Sequence, residues 1–110
     1  MTITNSPLAN FEKMLAAGKD SALLRYSLGN EYLNAGDAAA AAAHLERAVE
    51  HDPDYSAAWK LLGKARAALE QTAAARHAWE QGIAAANRKG DKQAEKEMQI
   101  FLKRLARSAP

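Results

Sequence analysis

The side chains able to do chemistry are few, and their spacing argues against most of it. His44, His51 and His77 are the only histidines, and there is no cysteine. His44 and His51 stand seven apart, on roughly one helix face but two turns from each other, too far to share a metal without a third ligand. No HExxH pattern supplies one. His51-Asp52 has serines nearby, but no strand-turn-helix elbow presents a nucleophile, and no Gly-rich loop could cradle a phosphate. Glu95 and Glu97 are two apart, so on a helix they diverge and cannot share a proton. The expectation is a chain with no enzymatic activity, no cofactor and no metal.

Two groups of cations remain. Lys60 and Lys64, at i and i+4, share one helix face and together could meet an acidic group. An ordinary solvated face is the alternative for the same pair. Lys89, Lys92, Lys96, Lys103, Arg104 and Arg107 make the densest basic region. It reads either as the outer side of a helix or as a surface for nucleic acid or an anionic membrane, and the interleaved Asp91, Glu95 and Glu97 weaken the second reading.

Composition sets the frame for these residues. The chain has 110 residues, enough for one domain. With 15 basic against 13 acidic side chains it carries +2, too even a balance to point to nucleic acid. Hydrophobic residues make up 48%, but many are alanine, so the expected core is a thin layer between helices. Lack of cysteine excludes disulfides, zinc knuckles and thiol catalysis and fits a reducing compartment. No apolar run is long enough to span a bilayer. Met1 to Leu15, with Asn5, Asn10, Glu12 and Lys13, lacks the pattern of a secretory signal, and the expected location is the cytoplasm.

The elements that must position the cations are all helical. Residues 1–6 read as a polar tail, with Ser6 capping a first helix that has Pro7 in its first turn and ends at Gly18. Asp20 or Ser21 caps a second helix that runs to about Ala35, and Gly36 stops it. Asp37 caps a third, which includes the alanine tract 38–43, reaches His51 and is followed by Pro53. A fourth runs from near Asp54 to about Leu69, a fifth from a Thr72 cap to about Arg88, and a sixth from an Asp91 cap to about Ala106. In the last, Ala94, Met98, Phe101, Leu102 and Leu105 form one apolar stripe. No strand is expected, and loops this short make successive helices antiparallel neighbours.

A shift of 34 residues brings the motif positions into coincidence: Leu28-Gly29 on Leu62-Gly63, Ala39-Ala40-Ala41 on Ala73-Ala74-Ala75, Leu45-Glu46 on Trp79-Glu80, and Val49 on Ile83. A glycine inside a helix costs about 1 kcal/mol relative to alanine. Its recurrence beside leucine implies a neighbouring helix too close for a side chain. Ala41 and Ala75 are the small partners on that neighbour, Leu45 and Trp79 the large ones.

This helix–turn–helix unit resembles the tetratricopeptide repeat. The first unit, 22–55, carries Leu28, Gly29, Tyr32, Ala41, Leu45, Ala48 and Pro53; the second, 56–89, carries Trp59, Leu62, Gly63, Ala75, Trp79 and Gly82. Arg25 departs from the family's Trp, Arg66 from its Tyr and Asn87 from its closing Pro. The resemblance implies an all-α fold, a right-handed solenoid of antiparallel helix pairs with about six helices. A half-repeat helix at 7–18 and a capping helix at 91–107 would flank the two repeats.

The resemblance also implies a job: holding a protein or peptide in a groove lined by the first helix of each repeat. By position that groove would present Leu23, Tyr26, Asn30, Leu33 and Asn34, then Ala57, Lys60, Lys64, Ala67 and Ala68. Tyr26, Asn30, Asn34, Lys60 and Lys64 are the expected partner contacts. Some relatives clamp a C-terminal carboxylate with Lys and Asn. Here Asn30 stands at one such place, but Tyr26 and Leu61 replace the other two, so that clamp is not expected. Self-association is the alternative, because two repeats are near the lower limit for a stable stack.

Overall fold

Four helices begin where a short side chain can take a free backbone N–H. Ser6 accepts from Ala9 N, Ser21 from Leu24 N, Asp37 from Ala40 N and Asp91 from Ala94 N, each at 3.1 Å. In the computed structural model, which describes residues 6–108, the elements are α1 (Pro7–Ala16), α2 (Ala22–Asn34), α3 (Ala38–His51), α4 (Ser56–Ala68), α5 (Thr72–Lys89) and α6 (Lys92–Ser108). Apart from Ser6, the polar tail expected at 1–6 lies outside the described residues.

Two helix starts differ from the sequence reading. The Asp52 carboxylate accepts from Asp54 N at 3.0 Å, holding Asp54 in a turn, so α4 starts at Ser56. Thr72 is the first residue of α5 rather than its cap, and Gln71 before it makes no side-chain capping bond. The connection before it is also unusual. Glu70 has φ 61°, a left-handed conformation that usually falls to glycine, as it does at Gly36 thirty-four residues earlier.

The helices form two layers. α2, α4 and α6 lie side by side; α3 packs on α2 and α4, α5 on α4 and α6, and α1 on α2. No strand occurs among the described residues. The overall extents are 44 × 31 × 19 Å, a flat slab in keeping with a thin alanine-rich core.

Close approach is set by the glycines. A Cβ on Gly29 would overlap the Leu45 side chain, and one on Gly63 would overlap the Trp79 indole. The close approach expected at the two glycines is present, and Leu45 and Trp79, the large partners, are the side chains that fill the space beside them. A third pair repeats the device, with Gly82 on α5 against Met98 on α6 and the Trp59 Cβ on α4. Leu28, Leu45, Leu62 and Met98 are the largest wholly buried side chains. Burying a leucine or methionine side chain stabilises by about 1.5–3 kcal/mol, so these four anchor the slab.

Loss of the closing proline changes the spacing. Pro53 follows the end of α3, whereas Asn87 lies inside α5, which runs on to Lys89 and ends at Gly90 with φ 72°. The next helix accordingly begins 36 residues after Ser56 rather than 34. Ala94 and Met98 then occupy in α6 the positions of Ala58 and Leu62 in α4, all four buried.

Candidate functional site

The layer of α2, α4 and α6 carries the residues expected to meet a partner. Leu23 stands two-thirds exposed (66%), although it is apolar. Tyr26, one turn on, is half-buried and stacks on Tyr55 with ring centroids 5.1 Å apart. Burial pushes the Tyr55 phenol above its ordinary 10.0, so it stays neutral. Asn30 is half-buried and Asn34 exposed. These α2 side chains share a face, because they recur at helical spacing.

Lys60 and Lys64, together on α4, have different surroundings. Lys60 Nζ bonds Glu97 Oε1 at 2.7 Å, a carboxylate from α6 that also accepts from Gln93 Nε2 at 3.1 Å. The Lys60 bond, then that from Gln93, hold Glu97 below its ordinary range. The acidic group expected to meet Lys60 thus comes from the chain itself. Lys64 is exposed and lies over the Phe101 ring, 5.1 Å from its centroid. It takes part in none of the ion pairs among the described residues.

Beside Lys64 the layer opens into a cleft of about 290 Å³, lined by Lys64, Ala67, Trp79, Phe101, Arg104, Leu105 and Ser108. Its floor is Trp79, whose indole N–H donates to the Lys60 carbonyl at 3.0 Å across the bare backbone of Gly63. Trp79 and Phe101 tilt against each other at 5.3 Å. From the sequence, Trp79 is a large packing partner and Phe101 and Leu105 belong to the apolar stripe of the last helix, which does not foretell this opening. The signal was Asn87 in place of proline: α5 runs on to Lys89, and α6 takes the place that α4 has in the preceding pair.

The opposite end is closed by a polar network centred on Arg25, which stands where the resembled repeat has tryptophan. Arg25 grips Asp20 through Nε and Nη2 at 2.8 and 2.9 Å and donates from Nη1 to His44 Nδ1 at 3.1 Å. His51 Nε2 bonds Asp20 at 3.1 Å. The Arg25 bond lowers the Asp20 carboxyl well below the usual range. Arginine can only donate, so His44 Nδ1 must accept, and the neutral ring keeps its proton on Nε2. Burial first, and the Arg25 charge second, hold His44 below 6.5. Its ring stacks on Tyr32 at 5.4 Å, and the Tyr32 hydroxyl donates to Glu12 of α1. Among the described residues no three metal-ligating side chains come together.

Comparison with known proteins agrees with this architecture. The tetratricopeptide repeat family profile matches residues 26–91. A TPR repeat-containing protein of Pseudomonas aeruginosa is 62% identical over 101 residues, covering 92% of this chain and 96% of that protein. The solution structure of a Bordetella parapertussis protein superposes with a TM-score of 0.80 at 47% identity, covering 97% of this chain and 90% of that one. The crystal structure of a tetratricopeptide repeat domain protein from Salinibacter ruber gives 0.76 at 31% identity, with 82% and 100% covered. With glycines 34 apart receiving Leu45 and Trp79, and with the profile spanning both helix pairs, this chain belongs to the tetratricopeptide repeat family.

Proposed function

We propose that this protein is a non-catalytic interaction module, an adaptor whose α2–α4–α6 layer holds a peptide or helix of another protein. Membership of a family that generally mediates protein–protein contact supports the class of function. The observation that carries the choice of face is Leu23, an apolar side chain 66% exposed on the helix that also bears Tyr26, Asn30 and Asn34. On the neighbouring helix, Lys64 extends the contact surface, while Lys60 shapes it from within its pair with Glu97. No helix among the described residues is long and apolar enough to cross a membrane.

The test is affinity capture from the native host with wild-type protein and a Leu23→Glu/Asn34→Asp variant. Both positions are exposed, so the variant should fold within about 1 kcal/mol of wild type. The expected result is loss of the captured protein. Unchanged capture would move the binding face elsewhere.

Self-association is the second reading, favoured by Ile100, an apolar side chain of α6 left 47% exposed. Sedimentation at high concentration decides it, since a clean monomer removes the idea. Nucleic acid and anionic membranes are weaker readings. Their binding should fall steeply with salt.

A further inference from the structure

We propose that the cleft between α4, α5 and α6 is a docking site for an acidic peptide segment, which inserts one large apolar side chain and sets a neighbouring carboxylate between Lys64 and Arg104. The inference rests on the reading of the chain as a protein-binding module and adds the place and the chemistry of the contact.

Shape and charge both select this occupant. The floor and walls are Trp79, Phe101, Leu105 and Ala67, and the volume is about 290 Å³. That is near the lower limit for small-molecule sites, which run from about 300 to 1,000 Å³, and suits one aromatic or branched side chain. The indole N–H of Trp79 is committed to the Lys60 carbonyl at 3.0 Å. The Ser108 hydroxyl is committed to the Leu105 carbonyl at 3.1 Å. What remains for a visitor is an apolar floor.

The rim carries charge of one sign. Lys64 and Arg104 are the only charged residues lining the cleft. Neither takes part in an ion pair among the described residues. The nearby acid, Glu97, is already held by Lys60 and Gln93. A carboxylate from outside would therefore find two cations without displacing an internal pair. The Lys64 ammonium over Phe101 joins rim and floor, so an apolar group and an acid side by side would be read together.

The experiment uses the full chain labelled with ¹⁵N, titrated with a capped pentapeptide, acetyl-Asp-Glu-Phe-Glu-Asp-amide. The two indoles are separate reporters: Trp79 floors the cleft, whereas the Trp59 N–H donates to the Pro53 carbonyl at 2.8 Å and lines no part of it. The expected result is a saturable shift of the Trp79 indole and of the Lys64, Arg104 and Leu105 amides, with Trp59 unmoved. Replacing the peptide's Phe by Ala, or its acids by amides, should weaken binding by about tenfold or more. Arg104→Glu should do the same, while Lys13→Glu on α1 should not. If Arg104→Glu does not give a folded spectrum, Arg104→Gln replaces it, with the same direction expected.

Shifts confined to Tyr26, Asn30 and Asn34 would overturn the cleft assignment and leave the interaction module standing. Absence of saturable shifts at about 1 mM peptide would overturn the chemistry proposed here, with the module itself still tested by capture. Equal binding of the Ala peptide, or tighter binding of a poly-uridine oligonucleotide or phosphatidylserine vesicles at Trp79, would overturn it in favour of a general anion surface.

Discussion

The two repeats solve the same packing problem with different side chains. At positions 34 residues apart the first has Arg25, Tyr32, Gly36, Leu45 and Pro53; the second has Trp59, Arg66, Glu70, Trp79 and Asn87. Both keep the mid-helix glycine and the large side chain that fills it. Around that constant, the first repeat is closed by hydrogen bonds among Asp20, Arg25, His44 and His51. The second is closed by aromatic packing of Trp79 on Phe101 and opens into a cleft. Arg66, in place of tyrosine, bonds the Ala74 carbonyl at 3.2 Å and reaches back to Glu46 of α3 at 3.3 Å. The stack thus depends on the glycine pairs and tolerates exchange at the other motif positions when a local network replaces the lost packing.

The largest effects should come from what the repeats share. Leu28→Ala and Leu62→Ala each remove a wholly buried side chain and should cost about 2–5 kcal/mol in chemical denaturation. A loss below about 1 kcal/mol at either would break the equivalence of the two repeats. Next, Gly63→Ala should destabilise by about 1–3 kcal/mol, because the added methyl meets a rigid indole anchored to the Lys60 carbonyl. Gly29→Ala should cost less, since the flexible Leu45 side chain can change rotamer where the indole cannot. The reverse order would show that the indole is not what fixes the second pair.

A smaller change of opposite sign separates the turns. Glu70→Gly gives the second repeat the residue the first has at Gly36 and should stabilise by up to about 1 kcal/mol, seen as a higher melting temperature.

The smallest effect is pH-dependent and belongs to the first repeat. The folded His44 binds its proton less readily than the unfolded one, so its contribution to stability is full above 6.5 and declines as pH falls toward the lowered folded value. Asp20, also depressed, adds stability above its ordinary 3.8 that is lost at still lower pH. Stability measured at pH 7.5 and 5.5 should therefore fall more in wild type than in His44→Gln. Equal falls would remove His44 from the network.

What could be read from the sequence was local or periodic. Caps at Asp37 and Asp91, a cap at Asp20 or Ser21, and close helix approach at Gly29 and Gly63 follow from residue type and spacing. The structure has the first two, chooses Ser21 for the third, and sets Leu45 and Trp79 against the two glycines. The start of α4 was misread because an Asp52 side-chain turn competes with the helix for Asp54. Arg25 was visible only as a departure from pattern, since its partner His44 lies nineteen residues away on another helix. Lys60 and Lys64 look alike in sequence, yet Lys60 is paired with a carboxylate thirty-seven residues on and Lys64 is not. That difference and the cleft beside it depend on the 36-residue step to α6, which only the extended α5 reveals.

The face proposed to hold another protein is the α2–α4–α6 layer. Amide hydrogen exchange of the full chain, alone and with the protein captured from its host, tests this assignment most directly. Added protection is expected on α2, α4 and α6, including Asn34 and Lys64. Protection confined to α1, α3 and α5, with that layer unchanged, would contradict it.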